Sequence, residues 1–256
     1  MPSFIDSHAH LYLPEFDEDR AAMMQRVKDA GIEKIFLPNI DSSTTDALLN
    51  FEREFSERAY AMMGLHPCSV KENVTEELKI LKHLFSQRKF VAVGETGLDF
   101  YWDVTFKEQQ MAAFRDQIDL ALQYHLPIVI HSRNSTRDCI DIVREKKDGN
   151  LQGVFHCFSG TAAEAQEIID LGFYLGIGGV ITFKKSTLPD VIKDVDLSHL
   201  LLETDAPYLA PVPYRGKRNE SSYIPLIAEK IAAIKNTDVA EVAKVTMDNA
   251  NRLFQF

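Results

Sequence analysis

The stretch Ser3-Phe4-Ile5-Asp6-Ser7-His8-Ala9-His10 decides how the rest of the chain reads. Its first half is a short apolar run of strand type. Its second half sets two histidines at i and i+2, which an extended chain points to one side, because strand side chains alternate with period two. The same event, an apolar run stopping on chemistry-bearing residues, recurs along the chain. Candidate strands lie near residues 3–6, 34–38, 59–65, 90–94, 127–130, 153–155, 173–177 and 200–203. The third ends in His66-Pro67 and the fourth in Glu95-Thr96-Gly97-Leu98-Asp99. The fifth ends in His131-Ser132-Arg133, the sixth in His156-Cys157, and the eighth in Glu203-Thr204-Asp205.

Between these runs lie stretches with apolar residues every three or four positions: 17–30, 44–55, 75–87, 106–124, 135–147 and 162–171. Met111, Phe114, Ile118 and Leu122 form the stripe of the fourth. Gly31 and Gly172 follow the first and sixth as C-terminal stops. Strand-then-helix repetition predicts parallel strands, since each return needs a crossover. Eight such strands in 256 residues match the size of a (β/α)8 TIM barrel, an α/β fold, read as one domain over 1–256 with its active site at the C-terminal strand ends. A doubly wound open sheet is the competitor, but no GxGxxG follows the first strand. No linker-like segment and no internal repeat divides the chain. Residues 238–256 read as a terminal helix closing the barrel. Residues 207–220, with three prolines and Lys217-Arg218-Asn219-Glu220, read as a long functional loop.

Composition narrows the classes. Apolar residues are 45 % and charged residues 26 %, ordinary for a globular chain and foreign to disordered or collagen-like ones. The longest uncharged run, 171–183, is too short for a membrane span and holds four glycines. Met1-Pro2-Ser3-Phe4-Ile5-Asp6 has no basic n-region or apolar h-region, so no secretory signal is expected. Cys68, Cys139 and Cys157 are an odd set without CxxC spacing, which fits a reducing cytoplasm. A net charge of −10 argues against coating of nucleic acid, while leaving room for an enzyme that takes one strand end through a local basic patch. No feature points to an obligate protein partner.

Five of the eight histidines, His8, His10, His66, His131 and His156, stand at C-terminal strand ends, which converge on one mouth in a closed barrel. Singly, each polar residue has an ordinary reading: a core histidine for His131, a helix cap for Glu95, a turn residue before Pro207 for Asp205. Jointly, imidazoles and carboxylates buried together are costly unless paired or metal-bound. Neutral imidazole and carboxylate suit divalent zinc, manganese or iron. His83, His125 and His199 fall in helices or before strands and read as structural or solvated. Cys157 is set aside because alternation turns it away from His156. Met23-Met24 and Met62-Met63 read as core.

Four motifs in order, Phe4-Ile5-Asp6-Ser7-His8-Ala9-His10-Leu11, Gly94-Glu95-Thr96-Gly97-Leu98-Asp99, Pro127-Ile128-Val129-Ile130-His131-Ser132-Arg133 and Leu202-Glu203-Thr204-Asp205-Ala206-Pro207, make the chain resemble the TatD family of metal-dependent deoxyribonucleases, within the amidohydrolase-like barrels. The resemblance spans essentially the whole chain. Glu95 discriminates, since many amidohydrolases carry a carboxylated lysine there. The resemblance implies two divalent metal ions (magnesium, manganese or zinc). His8 and His10 would bind the first, His131 and His156 the second, and Glu95 would bridge them. Asp205 would be a first-metal ligand that positions or deprotonates the attacking water, making Asp205 and Glu95 the catalytic pair. His66 and Arg133 would contact a phosphate or leaving group, and Arg215, Lys217 and Arg218 lie in the family's substrate-side loop. Tyr12 departs from the family, standing where many relatives have an acidic residue.

The expected reaction is hydrolysis of a phosphodiester, with a 3′→5′ exonuclease on single-stranded or damaged DNA as what the resemblance implies. The same ligands could instead hydrolyse an ester or amide, such as the ester of a D-aminoacyl-tRNA. A third reading, a non-catalytic metal-binding barrel, sits badly with a complete ligand set. Phe100, Tyr101 and Trp102 either stack on an unpaired base or simply cover the barrel mouth. Lys184 and Lys185 are either backbone contacts or solvated lysines.

Overall fold

The computed structural model describes residues 2–147 and 149–255. Eight short strands, β1 (Phe4–Asp6), β2 (Ile32–Pro38), β3 (Ala59–Met62), β4 (Val93–Asp99), β5 (Ile128–Arg133), β6 (Gly153–Phe155), β7 (Tyr174–Ile177) and β8 (Leu200–Leu202), run parallel. They form ladders β1-β2-β3 and β4-β5-β6-β7-β8. Two seams join the ladders into a ring. At one, Ser7 N–H donates to Leu202 O (2.9 Å), His10 N–H donates to Ala206 O (2.7 Å), and Ala9 bridges Ala206. At the other, Met63 N–H reaches Ala92 O (3.1 Å) and Gly94 N–H reaches Met63 O (3.0 Å). The result is the predicted (β/α)8 barrel.

The helices are α1 (Arg20–Asp29), α2 (Thr45–Glu54), α3 (Val74–Gln87), α4 (Lys107–Tyr124), α5 (Thr136–Lys146), α6 (Ala162–Asp170), α7 (Leu188–Lys193), α8 (Ile224–Lys235) and α9 (Val239–Phe254). The first six and the last match the periodic stretches. Phe256 lies outside the described residues. The six-residue α7 and the almost uniformly apolar α8 lack an amphipathic stripe of useful length. Helix α6 starts on a reciprocal cap, Thr161 Oγ1 accepting from Glu164 N–H while Glu164 accepts from Thr161 N–H, a signature of Thr-x-x-Glu.

Strands β2, β4 and β5 run longer than the sequence suggests, and β4 matters most. Gly94 looks like the end of the fourth strand, yet pairing with β5 continues to Asp99 opposite Arg133. The glycines mark close approach, not termination. At Gly97, φ is +135° and a Cβ would lie 2.1 Å from His131 O. Only glycine permits this backbone angle and this contact together.

Alternate strand residues serve two cores. One set, including Phe4, Ile35, Leu37, Ile128, Ile130 and Phe155, packs under the helices. The other, Ile5, Phe36, Met62, Ala92, Val129, Val154 and Leu201, clusters with Ala250, Leu253 and Phe254 of α9. Phe254 stacks on Phe36 with centroids 4.0 Å apart, and Asn249 Nδ2 donates to Leu197 O and Leu200 O at the start of β8. Helix α9 therefore plugs the N-terminal end of the ring, leaving the C-terminal end for chemistry. No helix among the described residues is long and apolar enough to cross a membrane.

Candidate metal centre

The His8–His10 segment is held by main-chain bonds on both flanks. Asp205 N–H donates to His8 O (2.9 Å), Ala9 N–H to Phe36 O (3.1 Å), and the Asp6 carboxylate accepts from His8 N–H (3.2 Å). Asp6 also accepts from the hydroxyl (2.6 Å) and N–H (3.0 Å) of Thr204, riveting the ends of β1 and β8. Burial pushes the Asp6 carboxyl up to about 7.

Glu95, buried on β4, is the hub. Its Oε2 lies 3.1 Å from His8 Nε2 and 3.4 Å from His10 Nε2. Its Oε1 lies 2.9 Å from His131 Nδ1, 2.9 Å from His156 Nε2 and 3.4 Å from His66 Nε2. Asp205 Oδ1 stands 3.8 Å from His8 Nε2 and 3.7 Å from His10 Nε2. Burial alone would raise the Glu95 carboxyl, but the imidazoles gathered around it, His156 first, hold it well below the usual range. Asp205 goes the other way, to about 6, chiefly through burial. Burial keeps His8 neutral and able to donate a lone pair.

Where the second ring nitrogen has a partner it assigns the ring's role, because a neutral imidazole has one donor and one acceptor nitrogen. His10 Nδ1 meets the Tyr12 hydroxyl (3.2 Å), whose own proton goes to Pro38 O (2.7 Å). The ring must therefore donate from Nδ1, leaving the Nε2 lone pair for a cation. His131 Nε2 donates to Asp99 Oδ2 (2.9 Å), so a neutral ring turns its Nδ1 lone pair toward the Glu95 side of the cluster. His156 Nδ1 faces Glu203 Oε1 at 3.4 Å, leaving Nε2 free. His66 is the exception. Its Nδ1 accepts from Cys68 N–H (3.0 Å), so Nε2 carries the proton and faces Glu95 as a donor. His66 reaches the cluster with Glu95 and His131 but in this tautomer offers no lone pair to an ion.

The donor set fits divalent cations. His8, His10 and Glu95 bring ligand atoms within 4.8 Å of one another, as do His8, His156 and Asp205, and no lysine or arginine pairs with Glu95 among the described residues. The structure thus brings together all six residues expected to hold metal, with His66 beside them. Asp99, Glu203 and Tyr12 fall outside the ligand set that the sequence implies. Tyr12 and Asp99 orient two of the rings by hydrogen bonds, a role that hydroxyls and carboxylates commonly take beside metal-binding histidines, and Glu203 stands 3.4 Å from the third. For Asp99 and Glu203 the only signal in the sequence is an acid a few residues from a candidate ligand.

A cavity of about 790 Å³ opens above the hub, lined among others by Asp205, His66, Trp102, Arg133, Arg215 and Lys217. Arg133 packs on Tyr101 (3.9 Å to the ring centroid) and Arg215 on Phe183 (3.8 Å). Arg218 is not on this lining. Its guanidinium grips Asp19 (2.6 and 2.9 Å), donates to Glu15 O (2.8 Å) and covers Phe16, tying the 207–220 loop to the entrance of α1. Lys184 and Lys185 lie off the lining. His83, His125 and His199 lie away from the hub, in α3, at the end of α4 and just before β8.

Comparison with known proteins agrees with this geometry. Residues 5–255 match the family described as TatD related DNase. The uncharacterized metal-dependent hydrolase YabD of Bacillus subtilis strain 168 is 40 % identical over 251 residues, 98 % of each chain. The 3′-5′ ssDNA/RNA exonuclease TatD of Erwinia tasmaniensis is 31 % identical over 255 residues, covering 97 % of this chain and 98 % of its own. The crystal structure of YjjV, a TatD homologue from Escherichia coli K12, superposes with a TM-score of 0.93 at 31 % identity, covering 99 % of this chain and 98 % of the other. With a match running from β1 to the end of α9 and a ligand cluster intact at the barrel mouth, the chain belongs to the TatD-related DNase family and is a metal-dependent hydrolase.

Proposed function

We propose that the protein hydrolyses phosphodiester bonds at the 3′ end of single-stranded or damaged DNA, using two divalent ions. The observation that carries this reading is the division of Glu95: Oε2 faces His8 and His10, and Oε1 faces His131 and His156. One carboxylate shared between two ligand groups would let Glu95, with His8 and His10 on one oxygen and His131 and His156 on the other, help hold a pair of ions. Bound there, such ions would supply a water acidified toward neutral pH and charge stabilisation for the phosphoryl group.

The chain's own residues do the rest. Asp205, beside the His8 and His10 nitrogens, takes the proton of the attacking water. His66, carrying its hydrogen on Nε2, offers a hydrogen bond to the departing oxygen. Arg133, with no carboxylate partner among the described residues, holds a non-bridging phosphate oxygen, and Arg215 and Lys217 on the same lining meet the next phosphate. Arg218 acts on substrate only through the loop it anchors. The named exonuclease activity of the Erwinia relative supports the choice of substrate and polarity. In a chain of net charge −10, so local a basic patch supports weak, salt-sensitive capture of a strand end.

The test is degradation of 3′-labelled and 5′-labelled single-stranded oligonucleotides by protein stripped of metal and titrated with magnesium, manganese or zinc. Metal-dependent loss from the 3′ end, absent in Asp205→Ala, is expected. No cleavage at full metal content would contradict the reading and turn attention to carboxylic esters such as aminoacyl-tRNA.

A further inference from the structure

The three consecutive aromatics after β4, Phe100, Tyr101 and Trp102, are put to three different uses. Phe100 is half-buried against the main core, with Lys107 Nζ 4.2 Å above its ring. Tyr101 braces the Arg133 guanidinium at 3.9 Å. Trp102 stands edge-on to Tyr101 (centroids 5.0 Å apart, 86°), lines the cavity, and is 69 % exposed, the most exposed large apolar side chain among the described residues.

The exposed indole is not on a loose tip. Asp99 Oδ1 accepts from the N–H groups of Tyr101 (2.9 Å) and Trp102 (3.2 Å), while Asp99 Oδ2 accepts from His131 Nε2–H (2.9 Å). One carboxylate therefore fixes the indole's backbone and the orientation of a histidine at the metal cluster. Lys71, paired with Asp103 at 3.0 Å, holds the far side of the turn. Arg133 lies 5.2 Å from the Trp102 ring centroid and has no carboxylate partner among the described residues, so an anion and a flat ring are offered adjoining contacts.

We infer that Trp102 is a nucleobase platform: the base of the terminal nucleotide stacks on the indole while its phosphate meets Arg133 and the hub. The inference rests on the phosphodiesterase reading and deepens it, since a base can reach Trp102 only after leaving its own stack. Single-stranded and frayed ends thereby become the substrates. Base–aromatic stacking of roughly 1–3 kcal/mol is worth about 5- to 150-fold in affinity.

Trp102 is the only tryptophan in the chain, so indole fluorescence, excited where tyrosine does not absorb, reports the surroundings of this ring alone. The metal-loaded protein is titrated with a deoxynucleoside 5′-monophosphate and, separately, with 2-deoxyribose 5-phosphate, which lacks the base. Saturable quenching by the nucleotide and little by the sugar phosphate is expected. In Trp102→Leu, the preference of hydrolysis for a base-bearing over an abasic 3′ end is expected to fall about 5- to 150-fold. Equal quenching by the two ligands, or an unchanged preference in Trp102→Leu while oligonucleotides are still degraded, would overturn the platform and leave the phosphodiesterase reading standing. Failure to degrade oligonucleotides at all, with no nucleotide bound, would overturn both.

Discussion

Tyr12 shows how much of the centre depends on single hydrogen bonds. Its hydroxyl gives its proton to Pro38 O and so can only accept from His10 Nδ1, which turns the His10 Nε2 lone pair toward Glu95 and Asp205. Burial raises the phenol well above its ordinary range, so it stays neutral at working pH. Tyr12→Phe removes the acceptor and keeps the ring. Divalent-metal affinity, measured by competition dialysis, is expected to fall about 10- to 100-fold, the usual cost of losing such a partner. Unchanged affinity would mean that His10 needs no such help. At this scale the sequence is informative about the ligands and silent about what orients them. His8, His10, Glu95, His131, His156 and Asp205 stand out because their types are unusual at apolar strand ends. Tyr12, Asp99 and Glu203 gain their roles from ring rotations and cross-strand distances that no spacing encodes.

Among elements, the pairing of β4 with β5 matters most to the site, because it sets Glu95 and Asp99 against His131. Gly97 sits opposite His131 in that register, with its φ of +135°. Gly97→Ala would drive a methyl group into His131 O and force a disfavoured backbone angle. The expected destabilisation is about 2–4 kcal/mol in chemical denaturation, combining overpacking with conformational strain. A loss below about 0.5 kcal/mol would show that the ladder can shift, and that the site does not depend on this register. The sequence hides this element because a glycine within an apolar run reads as a stop. Close approach of two backbones, the true reason for it, is a property of the pair of strands. The 207–220 loop is legible as a loop, but its cations are not separable by sequence. Arg218 finds Asp19 nearly two hundred residues away, whereas Arg215 and Lys217 face the cavity.

At the scale of the molecule, the ligands come from within β4 and β5 and from the residues just after β1, β6 and β8, and they meet only when both seams of the ring close. Strand-then-helix alternation makes that closure legible. Plugging of the N-terminal end by α9 is foreshadowed only as a terminal helix that closes the barrel, without its contacts to Phe36 and β8. Because the gathered site exists only in the folded ring, ion binding stabilises the fold by mass action, and Glu95 is the residue on which both ligand groups depend. The proposed chemistry stands or falls on this one carboxylate joining two ion sites. Equilibrium dialysis of metal-stripped protein against manganese or zinc, with elemental analysis of wild type and Glu95→Ala, decides it. Two ions per wild-type chain, falling to one or none in a still-folded Glu95→Ala, is the expected result. Two ions retained without Glu95, or a wild type that holds only one, would show that Glu95 is no bridge.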